Sequence, residues 1–385
     1  MKRVAIFGAG AYGVVALDKI GAENVDYFLD NNMEKQHTLF KNIEVITLEE
    51  FMPQKDKYHV VIASRLYASE MEAQIKAMGI TDYSNVIKYL RYSETDELVH
   101  NPYESKPAVG TEEEFNSSKT LEAAREVVYK DTEELYGKNL LFSLVEVETI
   151  NRCNGSCSFC PVNHKDDPRE KKIMSEEMFK DIVRQLEEIG YTGRFTTFSN
   201  NEPLLDERII EFNRYAREHL PYARLHLFTN GTLLTLDKFI ALMDSLDELI
   251  IDNYHPELKL IKPCAEIVKY CETHPELKKR VTIDLRKPQE ILTTRGGQAP
   301  NRHLIGSYAE DRCMLPFRQI VIRPDGKVSL CCNDAIGKYT LGDLTKDSLL
   351  DVWYGPKFQM VRNCLYKGRK NWGDCQFCDS FYTIM

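Results

Sequence analysis

The chain has 385 residues, 43% of them apolar, and a formal net charge of −9. That length allows two or three domains with at least one sizeable core, and the composition excludes a disordered chain. No apolar run approaches the ~20 residues that span a bilayer, and no concentrated excess of Lys and Arg marks a nucleic-acid binder. The expectation is a cytoplasmic protein with neither membrane nor nucleic acid among its partners.

The N-terminal MKRVAIFGAGAYG fits a buried strand and turn better than a signal peptide. Val4–Phe7 is a predicted strand. Gly8, Gly10 and Gly13 follow as G-A-G-A-Y-G, and a helix runs from there to about Ile20. A second strand, Val25–Leu29, ends at Asp30, where a dinucleotide fold places an acid against a ribose. A strand at His59–Ala63 and an amphipathic helix near Ala68–Met78 complete a small α/β domain over residues 1–95. Its glycine turn could hold a nucleotide or nucleotide-sugar diphosphate at the helix N-terminus, or could only permit close strand–helix packing.

Residues 96–138 read as a linker punctuated by Pro102 and Pro107, with one helix, Ser118–Leu135. The acidic run Glu112–Glu114 reads as a solvated face. Beyond it strands and helices alternate: strand Leu140–Glu148, helix Ser175–Glu188, strand Arg194–Phe198, helix Asp206–His219, strand Arg224–Phe228, helix Leu236–Ser245, strand Glu248–Ile251, a helix near Ala265–Thr273 and strand Arg280–Leu285. Such alternation implies a parallel sheet, open or closed into part of a barrel, whose active site gathers at the C-terminal strand ends.

All 11 cysteines lie from Cys153 onward. In a reducing compartment, clustered cysteines are metal ligands or reactive groups rather than disulfides. Cys153, Cys157 and Cys160 form C-x3-C-x2-C on a loop after a strand. Crowded thiolates repel one another unless a metal centre offsets their charge. Four would saturate a [4Fe–4S] cluster, and three leave one iron open to a further ligand. The competing reading is a zinc knuckle completed by His164. A second set, Cys313, Cys331, Cys375 and Cys378, has enough thiols for a fully ligated cluster, with a structural zinc ribbon as its alternative. There, Val321–Cys332 reads as a hairpin turning at Asp325-Gly326. Cys264 and Cys271, on one helix, read as core, and Cys364 as packing.

The segment C-x3-C-x-F-C resembles the signature of the radical S-adenosylmethionine (SAM) superfamily. Asn200-Asn201-Glu202-Pro203 is similar to the family's G-G-E-P motif, with two Asn for two Gly; Asn tolerates left-handed backbone. The resemblance implies several roles. The three cysteines hold a [4Fe–4S] cluster that chelates SAM and cleaves it to a 5′-deoxyadenosyl radical. Glu202 accepts from the SAM amino group, Asn201 is a further SAM-binding residue, and Thr229 and Asn230 serve the ribose. Arg295, in T-T-R-G-G, suits the SAM carboxylate, and Phe159 lies beside the adenine. The C-terminal cysteines, with G-x4-C at Gly326–Cys331, resemble SPASM and twitch domains and imply a second [4Fe–4S] cluster. Their number favours the one-cluster twitch arrangement. Cys332, beside a ligand, is a candidate for exchanging a hydrogen atom or proton with substrate. The glycine segment and Y-F-L-D-N-N resemble small Rossmann-type domains of sugar-modifying enzymes.

The implied fold class is α/β: a Rossmann-like parallel-sheet domain (1–95), a linker (96–138), a partial (β/α)6 TIM-type barrel (139–300) and an auxiliary-cluster domain of hairpin plus helix (301–385). The implied function is hydrogen abstraction from a polar small molecule, a sugar or nucleotide-sugar, giving oxidation or epimerisation. The partners would be that substrate and an external electron donor such as flavodoxin or ferredoxin. A peptide-modifying maturase and a non-catalytic metal-binding or regulatory protein are the alternatives.

Overall fold

The computed structural model describes residues 2–64, 68–85, 97–103, 118–302 and 308–381. The acidic run Glu112–Glu114 and Pro107 lie outside them. The chain forms two compact units, Met1–Tyr92 and Ser93–Met385. Among the described residues no helix is long and apolar enough to cross a membrane.

In the first unit, strands β1 (Arg3–Phe7), β2 (Val25–Leu29), β3 (Leu39–Phe40), β4 (Ile43–Ile46), β5 (Tyr58–Ile62) and β6 (Tyr83–Asn85) make one sheet in the order β3-β4-β2-β1-β5-β6. Its core strands pair in parallel, and only the β3–β4 edge is antiparallel. The order steps outward from β1 in both directions, as a Rossmann-like winding does. Ile6, Phe28, Val60 and Ile75 are fully buried in a core of its own.

The second unit carries β7 (Val99–His100), β8 (Leu144–Val147), β9 (Arg194–Thr196), β10 (Arg224–Thr229), β11 (Glu248–Tyr254), β12 (Val281–Arg286), β13 (Gln319–Ile322), β14 (Lys327–Ser329) and β15 (Thr340–Asp343). They form one sheet, β15-β14-β13-β8-β9-β10-β11-β12-β7. From β13 through β8 to β12 and β7 every pair is parallel, which is the run a partial barrel requires. The intervening helices are amphipathic: Glu176–Glu188 starts on a Ser175 cap and buries Phe179, Ile182, Val183 and Leu186, one face at helical spacing. At the N-terminal strand ends Glu248 accepts from Arg194 and Arg224, a buried ionic floor opposite the loops that carry the cysteines.

Two features differ from expectation. The linker contributes β7, whose two residues pair with Ile283 and Asp284. The C-terminal segment does not stand beside the core as a separate layer: β13 joins β8 edge to edge, with Gln319 opposite Leu144 and Ile322 opposite Val147. The hairpin β13–β14 turns at Gly326, whose φ of +76° is left-handed and suits glycine.

Candidate active site

The loop after β8 carries the first cysteines, and the chain returns the backbone to them. Gly155 N–H donates to the Cys153 sulfur at 3.2 Å, and His164 Nδ1 pairs with the Gly155 carbonyl at 2.7 Å. His164 is thereby part of the loop's own scaffold. A Cβ at Gly155 would stand 3.3 Å from the Cys153 sulfur and 3.9 Å from that of Cys157, so the glycine keeps a cradle open between them. Burial pushes the Cys153 and Cys157 thiols up to about 12, and the neighbouring sulfurs add to the rise. Bare thiolates are therefore disfavoured here, and a metal centre that binds them is what the donor set fits. Among the described residues no three Cys, His, Asp or Glu side chains converge on a single-ion nest. A cubane instead distributes its ligands over separate corners.

Glu202 follows β9 and points at the same loop. Its N–H donates to the Arg152 carbonyl at 2.8 Å. Its carboxylate accepts from Thr229 Oγ1 at 2.7 Å, Asn230 N–H at 2.8 Å and Leu204 N–H at 3.1 Å. Burial pushes its carboxyl up to about 7, against the pull of those donors. Asn230 Nδ2 donates to Asn154 Oδ1 at 2.8 Å and faces the Cys153 sulfur at 4.0 Å. Asn201 offers Oδ1 to Ser199 N–H, while its buried Nδ2 has no partner among the described residues. Phe159 is 6% exposed and packs 6.0 Å from the Tyr254 ring at the end of β11. The first cysteine loop, Phe159, Glu202, Thr229 and Asn230 are thus brought to one end of one sheet. Neither Asn200 nor Asn201 has positive φ, so this turn does not call on the left-handed tolerance of Asn.

The second set also converges. The field of Cys313, Cys375 and Cys378 reaches Cys331, and burial with these like neighbours drives its thiol well up. Cys313 and Cys375 are raised in the same way. These four thiols are each partly exposed and bear on one another, and four such donors fit a saturated cluster. Cys364 sits on helix Pro356–Tyr366, and Cys264 and Cys271 are fully buried, as expected of core residues.

Arg295 and Cys332 link the two sets. Arg295 NH2 donates to Asn200 Oδ1 at 2.6 Å and to the Cys332 carbonyl at 3.2 Å, and Asn200 Nδ2 donates to that same carbonyl at 3.1 Å. Sequence reasoning missed Glu146 and Gln319, which complete this joint. Gln319 donates to Glu146 Oε1 at 2.6 Å and accepts from Cys332 N–H at 3.1 Å. The signal was present in V-E-V-E: carboxylates alternating with apolar residues in a parallel strand point into the barrel.

Gly8, Gly10, Gly13 and Asp30 belong to the first unit. Gly8 has φ +121°, and a Cβ there would stand 2.5 Å from the Ala63 carbonyl; one at Gly13 would stand 2.2 Å from the Gly8 carbonyl. Gly8 permits the close approach of the ends of β1 and β5, and Gly13 that of helix Ala11–Ile20 to the turn. Gly10 faces open space. Asp30 accepts from Ala9 N–H at 2.8 Å and Asn32 N–H at 2.9 Å, so its carboxylate braces the turn.

Residues 147–281 match the radical SAM superfamily, and residues 313–379 match the SPASM iron–sulfur cluster-binding domain. The S-adenosyl-L-methionine-dependent 2-deoxy-scyllo-inosamine dehydrogenase of Niallia circulans is 28% identical over 244 residues, which span 62% of this chain and 94% of that protein. The crystal structure of BtrN in complex with AdoMet and 2-DOIA is similar with a TM-score of 0.53 and 27% identity, over 63% of this chain and 95% of that one. The chain therefore belongs to the radical SAM superfamily: it is an oxidoreductase that uses SAM and a SAM-binding [4Fe–4S] cluster, with a SPASM-type auxiliary iron–sulfur domain joined to its core.

Proposed function

We propose that the protein dehydrogenates an alcohol carbon of a polar cyclic molecule, an aminocyclitol or a similar amino sugar. One observation carries this reading: the hydrogen-bonded joint of Asn200, Arg295 and Cys332 sets the Glu202 turn against the auxiliary cysteines. A substrate at that joint meets both metal-bearing loops. The bound groups would supply hydrogen-atom abstraction on one side and an electron sink on the other. An alcohol that becomes a ketone must also lose a proton. Glu146 is the carboxylate placed for it, raised by burial to about 7 and therefore poised near neutrality.

Within this reading Cys153, Cys157 and Cys160 hold the first cluster, and Cys313, Cys331, Cys375 and Cys378 the auxiliary one. Glu202 accepts from the SAM amino group, Asn201 is a further SAM-binding residue, and Thr229 and Asn230 serve the SAM ribose, Arg295 its carboxylate and Phe159 its adenine. A flavodoxin- or ferredoxin-type donor would reduce the first cluster. The test is anaerobic incubation of the reduced holoenzyme with SAM and a panel of aminocyclitols and amino sugars. We expect 5′-deoxyadenosine and a ketone in equal amounts. Turnover of a precursor peptide instead, or no coupled product across the panel, would overturn the reading.

A second outcome is favoured by one observation. Cys332 is held at the joint, its N–H on Gln319 and its carbonyl on Arg295 and Asn200, so a thiol-bearing residue able to return hydrogen stands next to the Glu202 turn. Epimerisation would then leave solvent deuterium at the substrate carbon, and Cys332→Ala would abolish that incorporation. Dehydrogenation predicts a ketone with or without the thiol.

A further inference from the structure

The Arg295 backbone is in the left-handed region, with φ +48°, ahead of Gly296 and Gly297 at +63° and +83°. A non-glycine residue keeps that conformation only where its surroundings impose it. What surrounds it is the end of the auxiliary domain. Thr294 N–H donates to Asp379 Oδ1 at 2.8 Å, and Thr294 Oγ1 reaches the same oxygen at 3.0 Å and the Phe377 carbonyl at 2.7 Å. Asp379 Oδ2 is held by Arg302 at 2.8 Å, with both side chains almost wholly buried. Thr294 and Asp379 are 0% and 2% exposed. Gln298 extends the attachment, donating to Asp334 Oδ1 and accepting from Ile336 N–H, each at 3.1 Å. The strap from Thr294 to Arg302 is thus fixed to the segment that carries Cys375 and Cys378, while its one outward guanidinium crosses to Asn200.

We propose that Thr294 and Asp379 form a latch through which the auxiliary domain positions Arg295 against the SAM-facing turn, so that assembly at Cys375 and Cys378 is transmitted to SAM binding. Thr294 and Asp379 are positioning residues that act through Arg295. The proposal rests on the reading above that Arg295 serves the SAM carboxylate. The latch and that reading fail separately in the following experiment.

Reconstituted full-length Thr294→Val, Thr294→Ser, Arg295→Ala and the Thr294→Val/Arg295→Ala double variant are compared with wild type. The readouts are iron content, SAM affinity by equilibrium dialysis, and hydrogen exchange of the peptide spanning the strap. Thr294→Val should retain wild-type iron, exchange faster in the strap and bind SAM about five- to tenfold more weakly. Thr294→Ser keeps the hydroxyl and should restore both. On the Arg295→Ala background the valine should add nothing to the loss of affinity. Wild-type exchange and affinity in Thr294→Val, or a loss that persists in full on the Arg295→Ala background, would overturn the latch. Wild-type affinity in Arg295→Ala would overturn the role given to Arg295 and the transmission with it, while strap exchange would still report whether the hydroxyl holds the strap.

Discussion

Glu202 accepts hydrogen bonds from Thr229, Asn230 and Leu204 in a nearly water-free setting. These three donors fix the carboxylate's direction before any ligand arrives. Glu202→Gln replaces one acceptor oxygen by a donor and sets it against an N–H or hydroxyl of its own neighbours. We expect SAM affinity to fall about tenfold or more, with the iron content of the reconstituted protein unchanged. Equilibrium dialysis with labelled SAM measures it, and an affinity equal to wild type would remove Glu202 from the binding role. Glu146 makes a different prediction. Its surface is partly open to the barrel interior, yet protein surrounds it, and burial raises its carboxyl from 4.5 to about 7. Between those values the folded chain holds a proton that the unfolded chain has lost. The neutral form's advantage is complete below about 4.5 and is lost as pH rises through 7. Glu146→Gln carries no such dependence, so the variant should gain on wild type by on the order of 2 kcal/mol as pH climbs from 5 to 8. Denaturation midpoints of the pair at several pH values decide it: a difference that stays constant with pH would place the Glu146 carboxyl in a water-like setting. The roles of both residues depend on neighbours far away in sequence. Glu202 was legible because Glu-Pro follows a strand within a recognisable motif. Glu146 was not singled out, since its partners Gln319 and Cys332 enter from the auxiliary domain more than 170 residues later.

At the scale of elements, the first cysteine loop is clamped by a residue with no motif to announce it. The Arg169 side chain, 8% exposed, donates to both oxygens of Glu148 at 2.9 and 3.2 Å, to Asp167, to the Asn151 carbonyl at 3.1 Å and to the Asn200 carbonyl at 3.0 Å. One guanidinium thus ties the exit of β8, the entry of the cysteine loop and the turn that carries Glu202. Truncation leaves Glu148 buried without its ion-pair partner and Asp167 with Arg152 alone, 3.6 Å away, and a loss of about 3–5 kcal/mol is what breaking a buried pair costs. Arg169→Ala should therefore lose the first cluster and keep the auxiliary one, halving iron and sulfide from about eight to about four of each per chain. Full iron in the variant would show that the loop stands without the clamp. Longer elements were legible because propensity and pattern agree over many residues. Helix Ser118–Leu135 and strand Val25–Leu29 fall where the sequence places them. Strands β7 and β15, of two and four residues, went unseen. A period of two cannot show itself in so short a run, and both strands exist because a neighbouring edge offers unpaired backbone groups.

Over the whole molecule, the two hydrophobic cores share no residue: one runs from Ala5 to Ile80 and the other from Phe142 to Leu365. Hydrophobic burial is the main cohesive term in folding, so cores that share nothing should melt as separate cooperative units. All 11 cysteines, and with them the ligands proposed for both clusters, fall in the second unit. Metal binding that requires folded ligands stabilises the unit that holds them and no other. Calorimetry of the anaerobic holoprotein should therefore show two transitions. Replacing Cys153, Cys157 and Cys160 together by Ala should lower the second unit's transition and leave that of residues 1–92 in place. Replacing Cys375 and Cys378 should act on the same transition, because β13 joins the auxiliary segment to β8 in one continuous sheet and gives it no separate core along which to part. A single transition, or a first-unit midpoint that moves with the cysteine variants, would show the two units to be energetically one. The division near residue 95 could be read from cysteine distribution and glycine punctuation, against Tyr92 in the structure, but this merging of core and auxiliary segment could not. It depends on a parallel pairing between β8 and β13, strands separated by the whole barrel sequence, and nothing local in either strand encodes that partner.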